Sequence, residues 1–461
     1  MRRTLAVFIV ICSAARASGQ VPQAPQTFTL EQALQYAGDH YPAIRAALEE
    51  VNVTSADARV ARSAYLPRLD AVWQSNRATA NNIFGQVLPQ SVIPAMSGPV
   101  LPSASADSLW GSATGALFSW EPFDFGVRDA AVAGADAAVT RARAGEALTR
   151  LGVQAEVGSA FLSVVAAQRA VVAAQADFDR RDVLARTVHA LVDNQLRPGA
   201  DASRADAERA AARTRLIRAQ ETLTLAQTTT ARVLGVATGP VTVEAANLLA
   251  QIPAVDVSAD AATAHPLAQV HQASIDVARA QADVLARTDR PRLYLQSSVF
   301  ARGSGASPNG VLDGGFGGLG LDRANWAAGV QIQFPNLFDF SSLRARQAAA
   351  AASERAETAR YDEAILTIGS QQQAAQAMVQ AARAVAANTP VQLAAAQQSE
   401  AQARARYQAG LTNIVDVADA QSLLAQSEVQ DQLARVDVWR ALLAEAVARG
   451  TLAPFLTLVH P

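Results

Sequence analysis

Between Asn325 and Phe334 the chain alternates with a period of two. Trp326, Ala328, Val330, Ile332 and Phe334 fall on one side, Asn325, Gln331 and Gln333 on the other. That pattern predicts a strand with one apolar face. Leu69, Ala71 and Trp73 oppose Asp70, Gln74 and Asn76 in the same way. Strands are expected over 66–77, 109–121, 292–301 and 324–334, the third being the least regular. Each is about as long as a tilted strand must be to cross a bilayer, roughly 10 residues. Long Ala-, Gln- and Arg-rich tracts predict helices over 29–64, 126–198, 200–234, 257–288, 341–409 and 411–449. The tract 126–198 would run about 110 Å as one helix. Segments 29–64 and 200–234, stacked end to end and running back, match it in length; 257–288 and 411–449 match 341–409 likewise. Such a layout builds a straight tube wall rather than a globule. Thr29 with Gln32 three residues on reads as a capping box, and Gly199 and Gly410 stand where each long helix must turn back.

The same landmarks occur twice in the same order. Pro42 of Tyr41-Pro42 precedes Pro67 of Leu66-Pro67-Arg68-Leu69 by the spacing that separates Pro266 of His265-Pro266 from Pro291 of Arg290-Pro291-Arg292-Leu293. A Trp follows each, then Phe123-Asp124-Phe125 or Phe338-Asp339-Phe340, then a long tract to Gly199 or Gly410. The chain is a tandem duplication. It divides into a first unit, 20–239, a link, 240–256, a second unit, 257–450, and a tail, 451–461. Each unit supplies two strands and a helical hairpin with its tip at Gly199 or Gly410. Four strands cannot close a barrel, and an open edge in lipid is not viable. If these strands span a membrane, several copies must share one barrel, and three would give twelve strands.

Composition narrows the class. With 461 residues and a net charge of −2, no strong field recruits nucleic acid. Aromatics are 5%, low for a thick globular core, which favours helices packed closely along their lengths. Residues 1–19 read as a secretory signal: Arg2 and Arg3, an apolar stretch Leu5–Cys12, then small residues at the cleavage site. Bulky Ile11 before Cys12 argues against lipidation, and Cys12, the only cysteine, leaves with the signal. No later stretch approaches the 18 or so consecutive apolar residues of a membrane helix, which says nothing about short alternating strands.

Candidate chemistry is sparse. Asp416 and Asp419, three apart after Gly410, share a helix face. They are either favourable charges at a helix start or, in a three-fold assembly, a ring of carboxylates around one axis. Trp73, Trp110, Trp120 and Trp326 all fall in the expected strands. They suit an interfacial aromatic girdle, although sandwich cores also gather Trp. The run Gly315-Phe316-Gly317-Gly318-Leu319-Gly320 has dinucleotide-type glycine spacing but precedes a strand instead of opening a helix, so it reads as loop. His40, His189, His265, His271 and His460 form no metal-spaced pair, and His265 before Pro266 reads as a local structural residue. No grouping suggests catalysis, and no cofactor is implied.

The landmarks together resemble the TolC-like outer-membrane efflux family. Phe28-Thr29-Leu30-Glu31-Gln32-Ala33-Leu34 with Tyr41-Pro42, Tyr65-Leu66-Pro67-Arg68-Leu69, Phe123-Asp124-Phe125-Gly126, and Tyr407–Asp419 carry the resemblance, which covers nearly all of the chain after the signal. It implies a mainly α fold with a membrane β-barrel: a homotrimer sharing a twelve-stranded barrel in outer-membrane lipid, with an α-helical tunnel in the periplasm. It further implies a passive exit duct of a tripartite efflux or type I secretion system, opened by a periplasmic adaptor protein and an inner-membrane pump. Asp416, Asp419 and Tyr407 match the periplasmic aperture, and adaptor contact maps to the tips around Gly199 and Gly410. Prototype members carry an Arg two residues after the tip glycine, where Thr412 stands here; the facing position of the first hairpin, often Asp, is matched to Ala205. The usual ionic latch is therefore not expected, and closure is left to other hydrogen bonds. The residues alone leave one alternative, a soluble periplasmic helical scaffold or interaction protein.

Overall fold

The computed structural model describes residues 27–79, 106–236, 239, 241–245, 248, 262–305, 311–335 and 339–459. The expected signal 1–19, most of the loop 78–108, most of the link 240–256, Phe338 and the last two residues of the tail lie outside them.

Strand β1 (Thr27–Phe28) leads into α1 (Leu30–His40), whose start is the expected capping box. The Gln32 amide donates to Thr29 Oγ1 at 3.3 Å, and the Thr29 amide donates to Gln32 Oε1 at 3.1 Å. The segment expected as one helix over 29–64 is two. Pro42 excludes the helical conformation at Tyr41, which is extended at φ −69° and ψ 126°, so α2 (Pro42–Ser63) begins afresh. Strands β2 (Arg68–Thr79) and β3 (Ser108–Phe123) follow, then α3 (Val127–Asp193) and α4 (Gly199–Leu234). The second unit repeats the order: α5 (Pro266–Leu285), β5 (Arg292–Ser304), β6 (Arg323–Gln333), α6 (Phe340–Gln408) and α7 (Ile414–Arg449). Strand β4 (Thr242–Val243) pairs in parallel with β1, and a short α8 (Ala453–Val459) ends the described chain. The sequence reading did not anticipate β1, β4 or α8, because two- and seven-residue elements carry no usable period.

At 67 and 69 residues, α3 and α6 are each about 100 Å long. In one half of the helical layer α4, α3, α7 and α6 pack side by side in that order; in the other half the order is α2, α3, α5, α6. The α6–α7 hairpin is a heptad coiled coil. In α6, Ile368, Ala375, Thr389 and Ala396 keep one seven-residue frame, and Val379, Ala386, Glu400 and Tyr407 the other; all are buried. Val417, Leu424, Asp431, Val438 and Glu445 answer on α7. Small Ala side chains let the helices approach closely, which explains a fold this large with so few aromatics.

The main core lies at the middle of the helical layer, where Phe161, Leu162 and Val165 of α3 meet Phe28, Leu34, Leu234, Leu442 and Phe455. Trp439 packs edge-on to Phe455 at 5.9 Å and donates its indole N–H to the Leu248 carbonyl. Helix α3 carries an 18-residue stretch of mean hydropathy 1.6, and half of it is buried. His265 caps α5: its Nδ1 accepts from the Leu267 amide at 3.1 Å, and its Nε2 lies 3.2 Å from the Val447 carbonyl.

Candidate functional site

The four long strands form one antiparallel sheet in the order β2-β3-β5-β6, leaving β2 and β6 as open edges. Register places Leu69, Ala71 and Trp73 on the same face as Thr114, Ala116, Phe118 and Trp120 of β3. Val299 and Ala301 of β5, and Trp326, Val330 and Ile332 of β6, continue that face. It is the exposed face: Trp73 is 74% exposed, Trp326 79% and Val299 67%. Asp70, Gln74, Asn76, Gln296, Ser298 and Gln331 fall on the other, around a small buried cluster of Ala113 and Phe300 with Val72. A sheet whose exposed face carries its large apolar side chains, and whose inner face gathers polar ones around a small apolar cluster, has the inverted order of a membrane barrel. All four tryptophans of these strands fall on the outward face. Trp110 and Trp120 stand at opposite ends of β3, whereas Trp73 and Trp326 lie between those levels.

Where β3 passes into α3, the carboxylate of Asp124 explains the Phe-Asp-Phe-Gly motif. It accepts from the Gly126 amide at 3.1 Å, the Arg128 amide at 2.6 Å and Arg128 Nε at 2.9 Å. Burial works against its ionisation, but these donors hold its pKa below the usual carboxylate value. Arg128 also stacks over Tyr65 at 4.9 Å and donates to the Ala64 carbonyl at 3.0 Å, tying the foot of β2 to the head of α3. The Tyr65 hydroxyl donates to Asp129, which with burial pushes its pKa up to about 12.

At the far end of the long helices the two hairpins turn by the same device. The Gly410 amide donates to Tyr407 O and the Leu411 amide to Arg406 O, with Gly410 left-handed at φ 76°. Likewise the Gln195 amide donates to Val192 O and the Leu196 amide to Leu191 O, with Gln195 left-handed at φ 61°. These are Schellman turns. Gly199 was expected to terminate the first long helix; the left-handed residue is Gln195 instead, and Gly199 is the first residue of α4. A non-glycine there hid the turn.

Tyr407 is 1% exposed, in a cluster with Val188, Ala202, Ala205, Ile414 and Val417. Its hydroxyl donates to Asp201 Oδ2 at 3.1 Å, the Arg197 guanidinium lies 4.4 Å from its ring centre, and Arg197 Nη2 donates to its carbonyl. Burial, then the Asp201 hydrogen bond, pushes the Tyr407 pKa up to about 12, so it stays a donor. The acid facing Tyr407 is therefore Asp201, one helical turn before Ala205, which is a buried packing residue. The cation absent at Thr412 has a counterpart in Arg197 on the opposite hairpin. A repeat alignment anchored on the turns would have found both: Arg197 and Asp201 follow Gln195 by the spacings at which Thr412 and Asp416 follow Gly410.

Asp416 and Asp419 are exposed on the first turns of α7. Asn413 caps that helix by accepting from the Asp416 amide at 3.1 Å, and Thr412 donates to the Asp416 carboxylate. Above the tips, a cleft of about 250 Å³ between α3, α6 and α7 is lined by Asp179, Arg180, Glu400, Arg404 and Gln421. Deeper still, Arg181, 2% exposed, binds Asp177 at 2.9 Å, Glu208 at 2.8 Å and Ser422 at 3.0 Å, joining α3, α4 and α7. Arg180 grips Glu428 of α7 with two hydrogen bonds, at 3.0 and 2.6 Å.

Comparison with known proteins agrees with this geometry. The sequence model of the family described as "Outer membrane efflux protein" matches residues 33–236 and 257–445. No curated protein sequence matches. Among solved structures, the fold is similar to the outer membrane protein VceC of Vibrio cholerae, with a TM-score of 0.72 at 18% identity over 92% of this chain and 96% of that one. It is also similar to the CmeC outer membrane channel of Campylobacter jejuni, with a TM-score of 0.73 at 13% identity over 97% and 94%. The open state of the MtrE outer membrane channel of Neisseria gonorrhoeae gives 0.71 at 18% identity over 92% and 89%.

Proposed function

Because the chain belongs to the outer membrane efflux protein family, we propose that three copies of it assemble into one closed exit duct. Family membership sets its place in the outer membrane and its role in efflux, and sets aside the soluble scaffold. The trimer, its gate and its partners are the finer reading. The observation that carries that reading is the sheet: an apolar face turned outward, with both edges, β2 and β6, unpaired within the chain. Each unpaired backbone group in lipid costs several kcal/mol, so β6 of one copy must meet β2 of the next. The helical layer is open on the same sides, at α6 and at α2 with α4. Three copies close a twelve-stranded barrel over a helical tunnel.

The hairpin tips form the inner mouth. Tyr407, Asp201 and Arg197 tie the two tips of one copy together, and closure rests on that contact in place of an ionic latch at Thr412. Asp416 and Asp419 from three copies bring six carboxylates to one axis and favour cations there. A periplasmic adaptor docks on the tips, at 194–199 and around Gly410, and an inner-membrane pump drives transport. The chain itself is passive, with no catalytic step and no cofactor. Trp110 and Trp120 mark the two membrane interfaces, and Trp73 and Trp326 face lipid between them. The test is the mass of the detergent-extracted protein together with its conductance in a planar bilayer. A mass of three chains and discrete conductance steps are expected. A folded monomer that releases without detergent and conducts nothing would overturn the duct.

A further inference from the structure

We propose that residues 311–321 form a strap seated in the outer-leaflet interface of the membrane, an apolar anchor at the rim of the barrel. This rests on the membrane-face reading above. The strap's 3-10 turn, Phe316–Leu319, lies on β3 and β5. Ser112 Oγ donates to the Gly318 carbonyl at 3.1 Å. A Cβ on Gly303 would come within 1.7 Å of Gly320 O, and one on Gly318 within 1.8 Å of Trp110 O. The approach is therefore backbone to backbone and needs glycine at both positions. That explains the glycine-rich run which the sequence offered only as loop.

The side of the sheet decides the partner. Trp110, Ser112 and Gly303 are in register with the outward face that carries Trp73, Val299 and Trp326. The strap thus lies outside the barrel, not in its lumen. Trp110 stands ten residues from Trp120 on β3, roughly 33 Å along the strand. Across a barrel tilted by about 40° that is close to the apolar band of about 25 Å, so the strap sits where the band ends. Phe316 stacks on the Trp110 ring at 6.2 Å and is 75% exposed, and Val311, Leu319 and Leu321 are exposed beside it. A neighbouring copy joins at β2 and β6, whereas β3 and β5 are the two central strands. Among the described residues none covers these side chains, and at the edge of the apolar band lipid is the occupant we assign to them. Arg77, on the Trp110 ring at 5.8 Å, places a cation at headgroup height, while Asp313 turns back to accept from the Gly315 amide at 2.9 Å.

The test uses the exported protein, from which Cys12 departs with the signal, assembled in phosphatidylcholine nanodiscs and labelled with an environment-sensitive dye at one introduced cysteine. Phe316→Cys and Leu321→Cys report on the strap, Trp326→Cys on the sheet face, and Leu411→Cys on a hairpin tip. Both strap labels should lose most of their emission when the lipid acyl chains are brominated and little with aqueous iodide. If they respond to iodide as Leu411→Cys does, while Trp326→Cys responds to bromine, the strap is in water and the inference fails alone. If Trp326→Cys also responds only to iodide, the membrane face falls and takes the strap with it.

Discussion

Tyr407 carries more of the tip than any other single residue, because one side chain meets both hairpins. Its hydroxyl reaches Asp201 and its ring and carbonyl hold Arg197. Tyr407→Phe keeps the ring and the stack and removes one hydrogen bond, worth about 0.5–1.5 kcal/mol. With little global destabilisation, the variant should conduct more than the parent in planar bilayers; equal conductance would remove Tyr407 from the gate. Two other residues set the response to acid. His265 is buried, which lowers its pKa, and its neutral Nδ1 is the cap of α5. Its contribution is full above the unfolded value of about 6.5 and is lost as pH falls from there through its lowered folded value. Asp124, also lowered, keeps its contribution until pH falls below about 4. Thermal melting followed from pH 8 to pH 5 should therefore weaken first through His265. His265→Asn, whose amide oxygen can still cap, should show a flatter profile across that window. Parallel profiles for variant and parent would mean that His265 does not titrate with folding.

Among the elements, the α6–α7 coiled coil shows how a seam of small residues keeps its register. Ala side chains fit several offsets equally well, so the buried polar pairs choose one. Thr389 Oγ1 donates to Asp431 at 3.0 Å, and Gln421 meets Glu400 at 3.5 Å. Thr389→Val should cost about 1–3 kcal/mol, because it strips a donor from a buried carboxylate. Thr389→Val with Asp431→Leu should recover part of that loss, as apolar replacement of a buried pair often does, less what the half-exposed Arg435 loses at 3.9 Å from Asp431. Denaturant unfolding of the four combinations measures the coupling, and strict additivity would deny the pair its role. The sequence displayed this level unevenly. The capping box at Thr29 and the alternation at 325–334 were legible, because each is a local pattern with one physical cause. Tyr41-Pro42 divides α1 from α2, a break that the expectation of one helix over 29–64 passes over. The tip turn was placed on Gly199 because glycine is the usual left-handed residue, and Gln195 gives no such signal. Arg181 owes its role to helices brought together from far along the chain, and Arg197 and Asp201 show in the repeat only once Gln195 is taken as the counterpart of Gly410.

For the whole molecule, the four-stranded sheet and the hairpin tips lie at opposite ends of helices about 100 Å long. In the proposed duct, selectivity at the inner mouth would have to come from the tips. Asp416 and Asp419 are the acidic side chains on the first turns of α7, exposed within one copy. Within a trimer their charges would sit close to one another around the axis. Charges at such a mouth attract cations over about a Debye length, near 8 Å at physiological salt and roughly 30 Å at 0.01 M. Cation preference should therefore rise as salt is lowered. Asp416→Ala with Asp419→Ala should weaken that preference at every salt concentration and flatten its salt dependence, and the mass of the extracted variant checks that it still assembles. The measurement is the reversal potential under a salt gradient, taken at low and high mean ionic strength for parent and variant. A variant that keeps the parent's preference would move the selective constriction away from these residues. A parent with no preference at low salt would deny the duct an acidic mouth altogether. Because Thr412 hydrogen-bonds the Asp416 carboxylate, Thr412→Ala supplies a graded control. It leaves the charge in place but frees its direction, so the preference should persist while the step size becomes less uniform.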